Sequence, residues 1–284
     1  MHAYIAGSVR LLAVPLLLAG VAAGIAPAAP AVAAPAKSVG TPTFVHNQLN
    51  GVVATSASNA WAVGCTHCFT SKGMALIEHW NGTGWQQVPS PAPAGSVLSG
   101  VAATSASSAW AVGCSNCNNF STRKTLILRW NGTGWKQVPS PGPAGSDLSG
   151  VAATSASSAW AVGSTNRGRT LVVGWNGTAW ARVASPSPGA HFIPLLDAVA
   201  ATSARNAWAV GDSTNCGCGP GEPLILHWNG TAWKQVPSPT SGGGTDLRGV
   251  AATSASNAWA VGYSGSGIGP TKTVILRWNG KTWS

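Results

Sequence analysis

A chain of 284 residues is long enough for one large, well-buried domain. Its net charge of +10 favours anionic partners such as wall polymers, acidic glycans or membrane surfaces. Charged residues make up only 8% of it, and no Lys/Arg block follows a phosphate backbone, so nucleic acid is not an expected partner.

At the N-terminus Arg10 precedes the apolar run "LLAVPLLLAGVAAGIA" and the small-residue stretch "APAAPAVAAPA". A basic start, an apolar middle and a small-residue exit read as a secretory signal peptide over residues 1–33, cleaved after Ala31-Val32-Ala33 and before Ala34. Read instead as an uncleaved anchor, the run is a poor spanning helix, because Pro15, Gly20 and many alanines interrupt it. No cysteine stands at the cleavage site to take a lipid, and no later apolar stretch is long enough to cross a bilayer. Removing Arg10 leaves fifteen Lys and Arg against six acids, a mature charge of +9.

The fourteen residues "GVAATSASSAWAVG" occur at Gly100–Gly113 and again, unchanged, at Gly150–Gly163. Aligned on A-W-A-V-G, five copies place tryptophans at Trp61, Trp110, Trp160, Trp208 and Trp259. A W-N-G marker adds Trp80, Trp130, Trp175, Trp228 and Trp278, and a third tryptophan follows five residues later at Trp85, Trp135, Trp180, Trp233 and Trp283. All fifteen tryptophans are used, three per repeat. A period near 50 built from short β-like runs points to propeller blades.

Each repeat predicts four strands. The first reads G-V-A-A-T-S and the second A-W-A-V-G. The third resembles T-L-I-L-R-W, and the fourth starts at the third tryptophan, as in W-K-Q-V. Asn81, Asn131, Asn176, Asn229 and Asn279 each precede glycine between the last two strands, which predicts a tight type I′ hairpin turn. Four of these turns also read as glycosylation sequons, which the turn explanation makes unnecessary. Side-chain size grows from the first strand outward, as a blade needs if its first strand lies at the crowded axis. The tryptophans are then packing between blades; a sugar-stacking platform is the alternative.

Pro-rich segments such as "VPSPGPAGSDL" carry the chain from the outer edge of one blade to the axis of the next. The predicted blades are 46–95, 96–145, 146–193, 194–244 and 245–284. The last lacks the end of its fourth strand, and "KSVGTPTFV" at residues 37–45 resembles the missing "KQVPSPT". The expected architecture is therefore all-β: a five-bladed propeller of four-stranded antiparallel blades, closed by the N-terminal strand. An incomplete ring or a fragment of a longer chain is the alternative.

A-W-A-V-G followed by W-N-G-x-x-W resembles the repeats of secreted bacterial β-propellers of the sialidase-repeat (Asp-box) and photosystem-assembly-factor type. Asn279-Gly280-Lys281-Thr282-Trp283 is similar to the tail of an Asp-box, with asparagine where that box has aspartate and its leading serine absent. The resemblance covers nearly all of the mature chain and implies a propeller. Its motifs are structural and carry no catalytic residue. Tachylectin-type sugar-binding propellers are similar by architecture only.

Cys65 and Cys68, Cys114 and Cys117, and Cys216 and Cys218 fall in the loops between second and third strands. In an exported chain each pair is expected to close its own loop as a disulfide. Zinc held by the first four is the alternative, with the right ligand chemistry but the wrong compartment. No other metal site and no cofactor is expected.

The strands barely differ between copies, whereas the loops after A-W-A-V-G differ greatly. These loops carry Lys72, Arg123, Lys124, Arg167, Arg169 and Lys272, so one rim should be basic and variable. The fourth copy departs, with Asp212 and Glu222. Asp147, Asp197 and Asp246 recur near the start of the first strand, which suggests turn capping or packing. A sialidase-type site needs a tyrosine with acidic and arginine partners, and the mature chain has one tyrosine, Tyr263. His79 and His227 occupy the slot of Arg129 and Arg277 and read as strand residues. The composition thus favours a secreted, monomeric, non-catalytic propeller that binds carbohydrate or an anionic cell-wall polymer. A protein-interaction or structural propeller of the envelope is the second reading, and a glycoside hydrolase the third.

Overall fold

The computed structural model describes Arg10–Leu11 and residues 47–68, 70–188, 192–215, 221–239, 244–265 and 270–284. Every regular element in it is a β-strand. The two-residue β1 (Arg10–Leu11) pairs in parallel with Gly51 and Val52. The remaining strands form five consecutive antiparallel meanders, each in sequence order.

The first meander holds β2 (Gln48–Ser56), β3 (Asn59–Thr66), β4 (Met74–Trp80) and β5 (Trp85–Gln87). The second holds β6 (Val97–Ser105), β7 (Ser108–Ser115), β8 (Lys124–Trp130) and β9 (Trp135–Val138). The third holds β10 (Ser146–Ser155), β11 (Ser158–Thr165), β12 (Arg169–Trp175) and β13 (Trp180–Arg182). The fourth holds β14 (Phe192–Ser203), β15 (Asn206–Asn215), β16 (Glu222–Trp228) and β17 (Trp233–Gln235). The fifth holds β18 (Thr245–Ser254), β19 (Asn257–Ser264) and β20 (Lys272–Trp278). Its fourth strand is reduced to a bridge between Trp278 and Trp283 and a pair of backbone bonds between Arg277 and Ser284. The four predicted strands are present in the first four repeats, and the fifth has three strands and this bridge.

Small residues on the first strands follow from how closely those strands approach. A Cβ on Gly51 would lie 3.3 Å from the Cα of Gly100, and one on Gly100 would lie 3.3 Å from the Cα of Gly150. The glycine of A-W-A-V-G is held more tightly still: a Cβ on Gly113 would overlap the carbonyl oxygen of Val97. Bulk arrives outward, where the gap between sheets widens.

Four interior interfaces repeat one pattern. The second-strand tryptophan of each sheet meets both outer tryptophans of the next. Trp61 lies 4.8 Å from Trp130 and edge-on to Trp135 at 5.2 Å. Trp110 repeats this with Trp175 and Trp180, Trp160 with Trp228 and Trp233, and Trp208 with Trp278 and Trp283. Such pairs favour offset and edge-to-face geometry, and each ring removes about 150–250 Å² from water. His79 and His227 are strand residues as expected. Each stacks on the neighbouring tryptophan, Trp61 or Trp208, and hydrogen-bonds Asn59 or Asn206.

The hairpin between third and fourth strands differs from expectation. Among Asn81–Gly84 and its copies only the glycine adopts positive φ, so the turn is not the two-residue type I′ form. Trp80 pairs with Trp85 across a four-residue loop. The Asn81 side-chain oxygen accepts bonds from the Thr83 amide, the Thr83 hydroxyl and the Gly84 amide. An asparagine that folds its own turn needs no positive φ itself. This local network also accounts for the threonine that made the motif look like a sequon.

Among the described residues the fifth interface is not assembled. No comparable packing joins β18 to β2 among the described residues. On the fifth sheet Val261 is 46% and Ile275 70% exposed, although Val63, Val112, Val162 and Val210 are fully buried in the same position as Val261. On the first sheet Leu49 is 42% and Trp85 38% exposed, whereas Leu98, Leu148, Leu196 and Leu247 are fully buried.

Candidate functional site

The loops between second and third strands lie at the same end of the molecule as the connectors between sheets. Backbone bonds tie the two together: Gly95 to Gly73, Gly145 to Arg123 and Thr245 to Gly221. One face thus collects the segments that vary between copies, on a scaffold that does not.

Lys72, Lys124, Arg167, Arg169 and Lys272 are all exposed on this face. Lys124 borders a shallow groove of about 490 Å³ walled by Ser115, Gln137, Pro139 and Ser140. Arg123, on the same basic face, is engaged. Its guanidinium is half-buried, 2.9 Å from Asp147, bonded to the Gly145 carbonyl and set 5.0 Å from the Phe120 ring. It joins the second sheet to the third. Phe120 itself is 65% exposed.

Two cysteine pairs close their own loops as expected: Cys65 with Cys68 and Cys114 with Cys117. Both pack with Val97 in one apolar cluster between the first two sheets. Cys216 and Cys218 lie outside the described residues, as do His191 and residues 37–45.

The acids gather where no motif marks them. Arg248 donates to Asp246 at 2.8 Å, to Asp197 at 3.2 Å and to the Tyr263 hydroxyl at 3.3 Å. The Tyr263 hydroxyl donates to the same Asp246 oxygen at 2.5 Å. Asp147, Asp197 and Asp246, expected to cap turns or pack, make ion pairs: Asp147 and Asp197 across sheets, and Asp246 with Arg248 of its own strand. Asp212 lies behind them and is 1% exposed. Burial, reinforced by the nearby charges of Asp246 and Asp197, pushes its carboxyl up to about 7. Burial opposes the charge on Arg248, but Asp197, the Tyr263 hydroxyl and Asp246 more than offset it and hold the guanidinium firmly protonated. The Tyr263 hydroxyl is raised by its bond to Asp246 and then by burial, so it is a hydrogen-bond donor rather than an activated nucleophile. Among the described residues no group of three His, Cys, Asp or Glu has a metal-binding arrangement. Aligning the copies against one another, rather than looking for motifs, was the signal that could have found this cluster. Arg248 stands where the other copies carry Asn50, Ser99, Ser149 and Asp197, and Asp212 where they carry Cys65, Cys114, Ser164 and Tyr263.

The architecture can now be compared with solved structures. The chain is similar to a photosystem assembly protein, YCF48 bound to a D1 peptide, at 14% identity over 84% of this chain and 68% of that one, with a TM-score of 0.51. It is similar to the six-bladed fucose-recognising lectin of the fungus Aleuria aurantia, at 14% identity over 84% of this chain and 77% of the lectin, with a TM-score of 0.57. A polysaccharide lyase, bound to an ulvan fragment, follows at 7% identity over 82% and 68%, with a TM-score of 0.55. No family model and no curated protein matches the chain. The fold is that of a β-propeller. At these identities the likeness carries the fold alone, and the propeller neighbours include binding proteins as well as an enzyme. No helix among the described residues of this propeller is long and apolar enough to cross a membrane.

Proposed function

We propose that this propeller is a secreted, non-catalytic, monomeric binding protein that holds a carbohydrate or anionic cell-wall polymer on its loop face. The observation that carries the reading is the confinement of sequence variation and exposed cations to one face of an otherwise uniform scaffold. Lys72, Lys124, Arg167, Arg169 and Lys272 are its contact candidates, with Arg123 as their support. Lectins among the structural neighbours favour a glycan. The leader at residues 1–33 and the two disulfides favour export.

The mature ring has five blades. Trp259 on the fifth sheet and Trp80 with Trp85 on the first are the parts of a fifth tryptophan triad. The reading assigns residues 37–45, which lie outside the described residues, to the missing fourth strand of the last blade. Val39 stands ten residues before Leu49, the spacing from Val88 to Leu98 and from Val138 to Leu148.

A glycan array combined with a wall pull-down tests the binding reading. Retention on glycan or wall material that weakens with salt supports it. A blank array with a protein captured instead favours the protein-interaction reading. Exposed Phe120, on the same face, and the peptide carried by the YCF48 neighbour give that reading its support.

A further inference from the structure

On the second sheet Ser115 pairs with Lys124 and Leu128 pairs with Gln137. Directly paired residues share a face, as do residues two or four apart on one strand. Ser115, Lys124 and Gln137 therefore stand on the face whose Leu126 and Leu128 pack against the first sheet. At the outer edge of the sheet they meet Pro139 and Ser140 of the connector and wall the groove of about 490 Å³, a volume in the range of ligand pockets. The groove has a fixed floor, because the Ser140 hydroxyl donates to the buried Thr125 hydroxyl at 2.6 Å. No acid lines it. Among the described residues Lys124 makes no ion pair, whereas Arg123 beside it is held by Asp147. The groove thus presents one uncommitted ammonium, several hydroxyl and amide groups, and the exposed ring of Pro139 as an apolar wall.

The other copies separate the frame of this groove from its charge. Gln137, Pro139 and Ser140 are repeated as Gln87, Pro89 and Ser90 on the first sheet and as Gln235, Pro237 and Ser238 on the fourth. The position of Lys124 is Met74, Arg169, Glu222 or Lys272 in the other copies. It is exposed in all five, so packing does not choose the side chain there. A constant polar frame around one freely varied charge is the pattern of a position that sets what is bound.

We propose that this groove binds a hexuronic acid residue of an acidic polysaccharide, with the Lys124 ammonium on its carboxylate. The proposal rests on the carbohydrate reading and names the sugar class. Ser115, Gln137 and Ser140 meet the ring hydroxyls, and the C–H face of the ring lies on Pro139. One ammonium with no second cation in the groove matches one carboxylate. An acyclic polyol phosphate also brings one charge per unit, but it has no ring face to set against Pro139.

The test is calorimetric titration of the protein at low salt with a galacturonate tetramer, with its methyl ester, and with a glycerol phosphate oligomer of the same charge as the tetramer. The galacturonate tetramer is expected to bind about fivefold more tightly than the ester, the upper end for an exposed ion pair, and the margin should shrink as salt is added. Lys124→Met, which installs the side chain that the first sheet carries at this position, should abolish the preference and leave the melting temperature unchanged. Lys72→Met removes a cation of the same face that does not line the groove, and should keep the preference. Equal binding of tetramer and ester overturns the groove and leaves the carbohydrate reading standing. So does a preference that survives Lys124→Met, or one that both variants lose equally. Tighter binding of the glycerol phosphate oligomer, lost in Lys124→Met, overturns the uronic acid assignment. Binding of none of the three overturns the groove, and the glycan array then decides the carbohydrate reading.

Discussion

The interior interfaces and the seam between the fifth and first sheets are built from the same parts, yet only the interior ones are assembled among the described residues. Inside, a Val, an Ile and a Trp of one sheet are covered by a Leu, two Ala and two Trp of the next. At the seam the same side chains stand on two separate faces. The first face carries one foreign residue: Glu78 replaces Leu128, Val173, Leu226 and Leu276, and burial raises its carboxyl. The comparison teaches that each sheet has two distinct faces, and that the stability of the molecule resides in pairing them rather than in the sheets themselves.

Tryptophan truncation is the largest way to break this comparison. Trp110→Ala and Trp208→Ala should each cost about 3–5 kcal/mol in chemical denaturation, as large aromatic deletions in packed cores do. Trp259→Ala should cost the same if the seam is closed in solution, and only about 1 kcal/mol if it stays exposed.

Asp212 comes next. Its carboxyl titrates near 3.8 when unfolded and at about 7 in the fold, facing Asp197, Asp246 and Arg248. Between those pH values the unfolded chain releases a proton that the folded chain retains, so stability falls as pH rises through this window. Asp212→Asn should therefore stabilise the protein by on the order of 4 kcal/mol above pH 7, and the gain should vanish below about pH 4. Denaturation midpoints measured across that range check both the sign and the window.

Replacing Cys65 and Cys68 by serine removes a crosslink from the first interface only. The closed loop is short, so the loss should be about 2 kcal/mol or less. Smallest is Asn81→Ala, which deletes the side-chain acceptor of one outer turn and should cost about 1 kcal/mol by thermal melting. The same change at Asn279 should cost as much, because that turn lies away from the seam.

Much of the scaffold was legible in the sequence because it is repeated. Three tryptophans at fixed spacing define each sheet, and the glycines mark where the inner strands touch. The hairpin was misread because Asn-Gly alone suggests a backbone turn, whereas the Asn81 side chain organises the loop. The pairing of Arg123 was not legible because its partner, Asp147, lies 24 residues on and meets it only across an interface. The cluster around Arg248 was invisible to motif reading for the same reason: its members come from two sheets and share no spacing. Only the departures of Asp212 and Arg248 from the residues at the matching positions of the other copies hint at it.

The most direct measurement is a crosslink across the seam. Leu49→Cys combined with Val261→Cys places thiols at positions whose equivalents, Leu98 with Val63 and Leu247 with Val210, share a cluster in the interior. A closed five-bladed ring predicts rapid intramolecular disulfide formation in the monomer, as fast as for a Val63→Cys, Leu98→Cys control. No crosslink, or crosslinking only between molecules, would contradict it.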